Sequence, residues 1–201
     1  MKKLDFKKEF IFENDFITLS PLQLEHTEIL LEISDDPDIW IFFLEKGNGI
    51  KNITRYVENA IANRNLQKEY PFIVFDKITN QYAGTTRFYE YSAELKTIKL
   101  GYTWYGKNFR GKGINKHCKY LLFEFAFEEL KVERVGFGAY MDNTISIAAL
   151  KSVGCQREGV LRNMFPAING KGRADAILMS ILREEWFTTV KTQLKAKISK
   201  L

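Results

Sequence analysis

Alternating apolar and polar residues in the middle of the chain predict strands that bury one face. From residue 97 to residue 104, apolar side chains occupy every second position, which is the period of a half-buried strand. Apolar segments at residues 72–75 and 82–89 precede it, separated by a polar turn at residues 79–81. Together these segments predict an antiparallel meander.

Apolar residues at helical spacing predict a helix soon after the meander. The stripe begins at Ile114, recurs every three or four positions up to Phe125, and leaves Lys119 on the expected polar face. A similar stripe predicts an earlier helix over residues 52–66.

The two ends of the chain supply the remaining predicted elements. A strand at residues 16–19 is followed by Ser20 and Pro21, residue types that cap and begin a helix, here expected to reach residue 33. The C-terminal third predicts a strand at 132–140, a short helix at 144–151, and strands at 154–162 and 174–182 around a hairpin turn at 169–172. The predicted fold class is α/β (α+β), with a single mixed, mostly antiparallel central sheet flanked by helices.

Length and composition indicate one domain. The chain has 201 residues, 45% of them hydrophobic, which is enough for one sizeable core. We expect a single domain over residues 1–201, with its core at about 15–186 and a basic tail at 187–201. No apolar run approaches membrane length and the first residues lack the apolar core of a secretion signal, so a cytoplasmic protein with no membrane partner is expected. Two cysteines are too few for a disulfide framework, and Cys118 is expected to be a small core residue.

Positive charge is concentrated in two places. The chain carries 30 Lys and Arg residues against 25 Asp and Glu residues, a net charge of +5. Residues 106–120 contain five basic residues and no acidic one, and the tail from residue 186 adds four more. The remainder is mildly acidic, so no direct nucleic-acid partner is expected, and the tail is expected to be solvated.

The first of these basic segments has the composition of a phosphate-binding loop. It joins a predicted strand to a predicted helix, whose first NH groups lack intrahelical partners and attract anions. Gly111 and Gly113 allow a phosphate to approach the backbone, while Arg110 and Lys112 add charge-assisted hydrogen bonds. Two alternatives are a nucleotide triphosphatase loop, although Gly113 stands where a hydroxyl should hold magnesium, and an ordinary glycine-rich connection.

Two motifs together resemble the GNAT superfamily of acyl-CoA-dependent N-acyltransferases. Arg110-x-x-Gly113-x-Asn115 resembles its coenzyme A loop. Further along, Asn143-x-x-Ser146 and then Gly154 to Arg162 are similar to the signature of the Rim-type (RimJ/RimL-like) ribosomal-protein acetyltransferase branch. Three residues depart from the family pattern: Asn115 replaces a Gly or Ala, Cys155 an aromatic residue, and Leu150 the tyrosine that many members use as an acid.

The resemblance implies a GNAT-like fold and acetyl-CoA as cosubstrate, without a metal. The implied coenzyme-binding residues are Tyr102, Thr103, Trp104, Arg110, Gly111, Lys112, Gly113, Ile114, Asn115, Asn143 and Ser146. It also implies that backbone NH groups at residues 102–104, where the strand should splay away from residues 135–139, bind the carbonyl oxygen. Asn143 would orient the pantetheine arm, and Lys116 would meet an outer phosphate.

The sequence offers few catalytic side chains. Ser146 is the first choice for the group that protonates the departing thiolate or holds water for it, its alternative being a helix-start hydroxyl bonded to its own backbone. Tyr140 is the second choice. Glu90, like Glu94, could act as a base through water. Because an α-amine titrates near 8, such an acceptor needs little help from a base.

Other polar residues are expected to be structural, or to line the acceptor site. Glu158 and Asp175 should bond backbone or Arg162, Arg87 should form an ion pair, and neither His26 nor His117 is spaced for a metal site. The acceptor surface is expected at residues 40–49, the second helix and the hairpin around Asn169.

Two functions remain in consideration from the sequence. One is an N-acetyltransferase that moves the acetyl group of acetyl-CoA directly to a primary amine, either a protein N-terminus or a small molecule. The other is a non-catalytic acyl-CoA-binding or interaction module. A homodimer is compatible with both.

Overall fold

The predicted meander lies at the centre of an eight-stranded sheet in the structure, a computed structural model that describes residues 3–200. Met1, Lys2 and Leu201, which belong to the predicted domain, lie outside the described residues. The strands are β1 Phe12–Glu13, β2 Ile17–Pro21, β3 Glu69–Asp76, β4 Gln81–Ser92, β5 Thr97–Tyr105, β6 Arg134–Tyr140, β7 Gln156–Pro166 and β8 Arg173–Leu182. The sheet is mixed and mostly antiparallel, which confirms the predicted fold class.

The strand order is β1-β2-β3-β4-β5-β6-β8-β7. Every neighbouring pair is antiparallel except β5 and β6, which are parallel. The sheet therefore consists of an N-terminal antiparallel half and a C-terminal hairpin with β6, joined at the β5–β6 contact.

Six helices accompany the sheet within the described residues: α1 Thr27–Ser34, α2 Ile50–Asn65, α3 Ile114–Glu124, α4 Thr144–Ser152, α5 Arg183–Glu185 and α6 Lys191–Ile198. Tight 3-10 turns lie at Leu24–His26, Pro37–Trp40 and Lys107–Phe109, and wide π-helical turns follow α3 and α5. The predicted helices over residues 52–66, from residue 114 and over 144–151 are confirmed. No helix in residues 3–200 is both long enough and apolar enough to cross a membrane.

Two hydrophobic clusters cover opposite faces of the sheet. Consecutive residues of β3 show this, because Ile73 belongs to one cluster while Phe72 and Val74 belong to the other. α1 and α2 cover the first face, and Ile53 and Tyr56 of α2 are fully buried there, as their spacing predicted. α3 and α6 cover the other face, where the larger cluster includes residues from both halves of the sheet.

The helix predicted to start at Pro21 was wrong. Ser20 and Pro21 remain in β2, opposite Ile73 and Phe72 of β3. The helical turn begins only at Leu24, and α1 follows it. A strand end tolerates proline, and here pairing with β3 outweighs the local signal for a helix start.

The prediction of a solvated tail was also wrong. Trp186, Val190, Leu194 and Ile198 recur at every fourth position, and all four are buried in the larger cluster. The lysines between them point outward or form ion pairs, so the tail is an amphipathic helical segment packed on α3.

Candidate active site

The strands β5 and β6 separate soon after they meet. Only three residue pairs join them, Thr97 with Arg134, Ile98 with Val135 and Lys99 with Gly136. The resemblance implied a splay from residues 135–139, whereas pairing persists through Gly136 and is lost from Phe137 onward. From Leu100 onward, the edge of β5 that faces β6 has no ladder partner in the described chain. This opening is called the splay below.

The basic loop and the start of α3 lie beside the open end of the splay. Gly111 and Gly113 have φ angles of 77° and 84°, the left-handed region that favours glycine. A Cβ at Gly111 would meet no atom within 4 Å, so the backbone there is open to a ligand. The carbonyl of Gly113 accepts hydrogen bonds from the NH groups of Lys116 and His117.

Five consecutive backbone NH groups, from Gly111 to Asn115, have no acceptor among residues 3–200. They lie at the positive end of the α3 dipole, within a segment that carries no acidic residue. These features fit a diphosphate group. Arg110 is less available to bind a phosphate than expected, because its guanidinium donates to the Tyr105 carbonyl at 3.0 Å and to Asp36 at 2.9 Å.

The three residues predicted on β5 occupy different environments. Tyr102 has a φ of 49° at an irregularity in the β4–β5 pairing, and its side chain is 42% exposed. Trp104 is buried and donates from its indole nitrogen to the Tyr56 hydroxyl at 3.3 Å. Thr103 Oγ1 lies 2.7 Å from Thr86 Oγ1. The tyrosine alone of the three presents a large exposed surface.

Lys119 contradicts the prediction that it lies on a solvated face. Its side chain is only 3% exposed, and its Nζ donates to Thr103 Oγ1 at 3.0 Å. Burial lowers the pKa of this ammonium to about 8. Phe123 and Phe127 follow Lys119 at four-residue intervals and are both fully buried, so the sequence did contain a second apolar stripe that includes position 119.

The start of α4 lies at the end of β6, the other arm of the splay. Asn143 caps α4, because its side-chain oxygen accepts from the Ser146 backbone NH at 3.0 Å. The Ser146 hydroxyl has no hydrogen-bond partner among the described residues, so its predicted alternative as a self-bonded hydroxyl does not apply. Leu150 is buried in the core.

The Tyr140 hydroxyl is already engaged. It donates to the Pro166 carbonyl at 3.0 Å, and its ring stacks on Phe165 with centroids 4.4 Å apart. Burial raises its pKa. Both properties make it a poor proton donor to a second group.

The candidate base Glu90 forms an exposed ion pair. Its carboxylate lies 2.6 Å from Lys99 Nζ, and its side chain is 61% exposed. Glu158 bonds Arg134 and Ser180, not Arg162 as expected, and Arg134 holds the pKa of that carboxyl below its usual range. Asp175 accepts from the Asn163 backbone NH, the backbone bond that was predicted.

A buried polar cluster on the α2 side of the splay was not recognised from the sequence as part of the site. Arg87 Nη1 lies 2.6 Å from Glu69, and the guanidinium is sandwiched between the rings of Tyr56 and Tyr102, at 4.5 and 4.3 Å from their centroids. The Arg87 Nη2 atom is buried without a partner in the described residues. The ion pair itself was predicted, but its burial beside Tyr102 was not.

A polar depression of about 570 Å³ lies beyond the end of β6. Its lining includes Met141, Asp142, Asn169, Arg173 and Asp175. The predicted acceptor surface included the hairpin around Asn169. The depression therefore coincides with one part of that surface.

The histidines are structural. His117 Nδ1 lies 3.0 Å from the Asn14 side-chain nitrogen, and its ring stacks on Phe16. Burial lowers the pKa of both His26 and His117. Within residues 3–200 no group of three His, Cys, Asp or Glu side chains is arranged to hold a metal ion.

The family model and the relatives that match this chain all describe acetyltransferases. The model of the acetyltransferase (GNAT) domain family matches residues 17–156. A Bacillus subtilis relative named "Putative ribosomal N-acetyltransferase YdaF" is 28% identical over 86% of this chain and 94% of its own length.

Two solved structures are also similar. A GCN5-related N-acetyltransferase from Brucella melitensis superposes with a TM-score of 0.85 at 21% identity, covering 94% of this chain and 85% of its own. The microcin C7 self-immunity acetyltransferase MccE, solved with acetyl-CoA and AMP, has a TM-score of 0.71 at 26% identity, covering 84% and 93%.

Proposed function

This chain belongs to the GNAT acetyltransferase family, and we propose that it transfers the acetyl group of acetyl-CoA directly to a primary amine within a ternary complex. The acetyl-CoA-dependent acetyltransferase activity follows from the family. The direct transfer and the class of amine are our proposals. The observation that carries the direct transfer is the splay between β5 and β6, which opens beside five NH groups at the start of α3 that have no acceptor among the described residues.

In this proposal the NH groups from Gly111 to Asn115 hold the pyrophosphate of the cosubstrate, with Lys112 and Lys116 adding charge. Each helix-terminus contact contributes about 0.3–1 kcal/mol when exposed, so several NH groups must act together. Backbone groups of β5 at Tyr102 to Trp104 face the splay and bind the carbonyl oxygen as it gains negative charge. The acetyl group supplied by acetyl-CoA then passes to the amine.

The residues at the start of α4 orient the sulfur end. Asn143 caps the first turn of α4, which follows β6. In this proposal the Ser146 hydroxyl, which has no hydrogen-bond partner among the described residues, faces the splay from the side opposite β5. We assign Ser146 to holding the sulfur or a water beside it. Tyr140 keeps Phe165 and the β7–β8 hairpin in place through its ring and hydroxyl.

We propose an acceptor of low pKa, an α-amine of a protein N-terminus or of a small molecule. The support is that Glu90, the candidate base, is an exposed carboxylate already paired with Lys99. An α-amine is substantially neutral near pH 8 and needs no strong base, whereas a lysine side chain titrates near 10.4. A Rim-type preference for ribosomal protein N-termini is one version of this proposal, and the name of the Bacillus subtilis relative is consistent with it.

The test is turnover of acetyl-CoA with matched amines. We expect a lysine-free peptide with a free N-terminus to be acetylated, and the same peptide with a blocked N-terminus and one lysine to react far more slowly. Release of free thiol measures the rate, and the acidic limb of kcat/KM for the first peptide should follow an apparent pKa near 8. A rise set near pH 6 for every amine would reveal an enzyme base and remove the argument for a low-pKa acceptor.

Two outcomes would favour the competing functions. Acetyl-CoA that raises the melting temperature without thiol release for any amine would favour a non-catalytic acyl-CoA-binding module. A larger thermal shift with ATP and magnesium than with acetyl-CoA would favour a triphosphatase, which we do not expect because no hydroxyl follows Lys112.

A further inference from the structure

Lys119 places a buried amine between the two strands that form the splay. Its Nζ lies 3.0 Å from Thr103 Oγ1 on β5 and 6.0 Å from the centroid of the Phe137 ring on β6. Phe137 is the first β6 residue that is no longer paired with β5. The amine therefore lies where the strands diverge, on the α3 side of the sheet.

Few interactions offset the free-energy cost of burying this ammonium. An ammonium has three donors, and the described residues provide one acceptor, the Thr103 hydroxyl. Burying an ion without an opposite charge is costly. The titratable groups that face it are Cys118 on α3, Cys155 after α4 and, through Cys118, Tyr105 on β5, and none of them is a carboxylate.

The course of α3 places this amine beside the expected thioester. After the loop, α3 runs back along β5: Asn115 contacts the Tyr105 hydroxyl at 3.5 Å, and Lys119 contacts Thr103. A chain anchored by its pyrophosphate at Gly111 to Asn115 and ending at the β5 backbone between Tyr102 and Trp104 would bring its sulfur to the level of Lys119.

We propose that Lys119 is the proton donor to the departing thiolate, an inference that rests on the proposed acetyl transfer. The acceptor nitrogen forms a bond to the carbonyl carbon, the carbon–sulfur bond breaks, and its electron pair goes to sulfur. A proton moves from Lys119 Nζ to that sulfur, which gives the thiol of coenzyme A and a neutral lysine. The proton that the new amide nitrogen loses passes through solvent and restores the ammonium.

The acidity of Lys119 suits this role better than that of Ser146. Burial sets the lysine pKa at about 8, close to the value of about 8.5 for an unperturbed thiol. Proton transfer between groups of similar pKa is efficient near neutral pH, whereas a serine hydroxyl is a far weaker acid. Lys119 thus supplies the acid that Leu150 cannot, and Ser146 orients the sulfur.

The first test needs no turnover. Coenzyme A bound to the wild type and to Lys119→Met is titrated by the ultraviolet absorbance of its thiolate, each corrected for the coenzyme-free protein. Cys118 and Cys155 have pKa values raised by burial to about 11 and about 12, so they do not titrate between pH 6 and 9. We expect the bound thiol to titrate at a lower pH in the wild type, by up to about one pH unit so that its pKa stays close to that of Lys119, because an ammonium beside it stabilises the thiolate. Equal thiol titrations would overturn the proposal.

The second test is the pH dependence of kcat. Wild-type kcat should fall above pH 8 as the ammonium deprotonates, and Lys119→Met should lower kcat by about 10² or more and abolish this high-pH decline. The variant should melt at the same or a higher temperature at pH 7, since methionine has a similar length and no charge to bury. Lys195→Met, an exposed lysine on α6, is the control and should match the wild type.

Different outcomes would contradict the role of Lys119 and the proposed acetyl transfer. An active wild type with equal kcat and an equal high-pH decline in Lys119→Met removes Lys119 from the reaction and leaves the acetyl transfer intact. A wild type that acetylates no amine, although its bound thiol titrates lower than that of the variant, refutes the acetyl transfer and keeps only the contact between Lys119 and sulfur.

Discussion

The sequence predicted residues of the candidate site that act through their backbone. It did not predict the environment of residues that act through their side chains. Gly111 and Gly113 were expected to let a phosphate approach the backbone, and both have positive φ angles that favour glycine. Lys119 and Arg87 were assigned from their residue type, and a charged type normally indicates a solvated position. Their burial depends on the packing of α3 and α2 against β4 and β5. For Lys119 the second apolar stripe with Phe123 and Phe127 was a local signal of this packing, whereas no local pattern indicated it for Arg87.

At Ser146 we expect a modest kinetic effect of substitution. Ser146→Ala should lower kcat by about tenfold with little change in the KM for acetyl-CoA, because a water-holding contact falls below the usual range of about 10²–10⁴ for a general acid. Steady-state kinetics measure both constants. Thr144→Ala, on the exposed first turn of the same helix, is the matched control and should behave as the wild type. An unchanged kcat in Ser146→Ala would exclude this residue from the mechanism.

Among the elements, the central meander and α3 were the most predictable because each has apolar residues at a regular spacing over many positions. The start of α1 was not, since Ser20 and Pro21 also satisfy the end of β2. The splay could not be derived from sequence at all, because it is the absence of pairing between two regular strands. The family resemblance implied it for residues 102–104 against residues 135–139. In the structure residues 102–104 have no partner on β6, and the part of β6 that is unpaired with β5 begins at Phe137.

The connection between β5 and α3 gives the prediction for coenzyme binding. Gly113→Val should abolish acetyl-CoA binding, because a β-branched residue does not adopt a φ of 84° and its side chain would cover the unpaired NH groups. Lys112→Ala should only weaken binding, since it removes one exposed charge among several contacts. Titration calorimetry measures both affinities.

The matched control for this prediction is Gly49→Val. Gly49 also precedes a helix, α2, with a positive φ of 77°, so its substitution imposes backbone strain at the start of a different helix. It should retain the wild-type affinity for acetyl-CoA. Equal affinities of Gly113→Val and the wild type would place the coenzyme site elsewhere.

At the scale of the whole molecule, the hydrophobic cluster on the α3 face connects the two halves of the sheet. Strands β5 and β6 share only three residue pairs, yet one hydrophobic cluster includes Leu100 of β5, Leu122 of α3 and Met179 of β8. The splay can therefore stay open without dividing the domain. The C-terminal segment, expected to be a solvated tail, completes this cluster through α6.

Leu194 of α6 tests this role of the C-terminal segment. It is 1% exposed and lies in the same cluster as α3, so Leu194→Ala should lower the free energy of unfolding by about 2–5 kcal/mol. Lys195→Ala changes the adjacent exposed position and should alter the free energy by no more than about 0.5 kcal/mol. Urea denaturation measures both values. A Leu194→Ala protein as stable as Lys195→Ala would mean that α6 is dispensable for the core. The connection between the halves of the sheet would then rest on α3 alone.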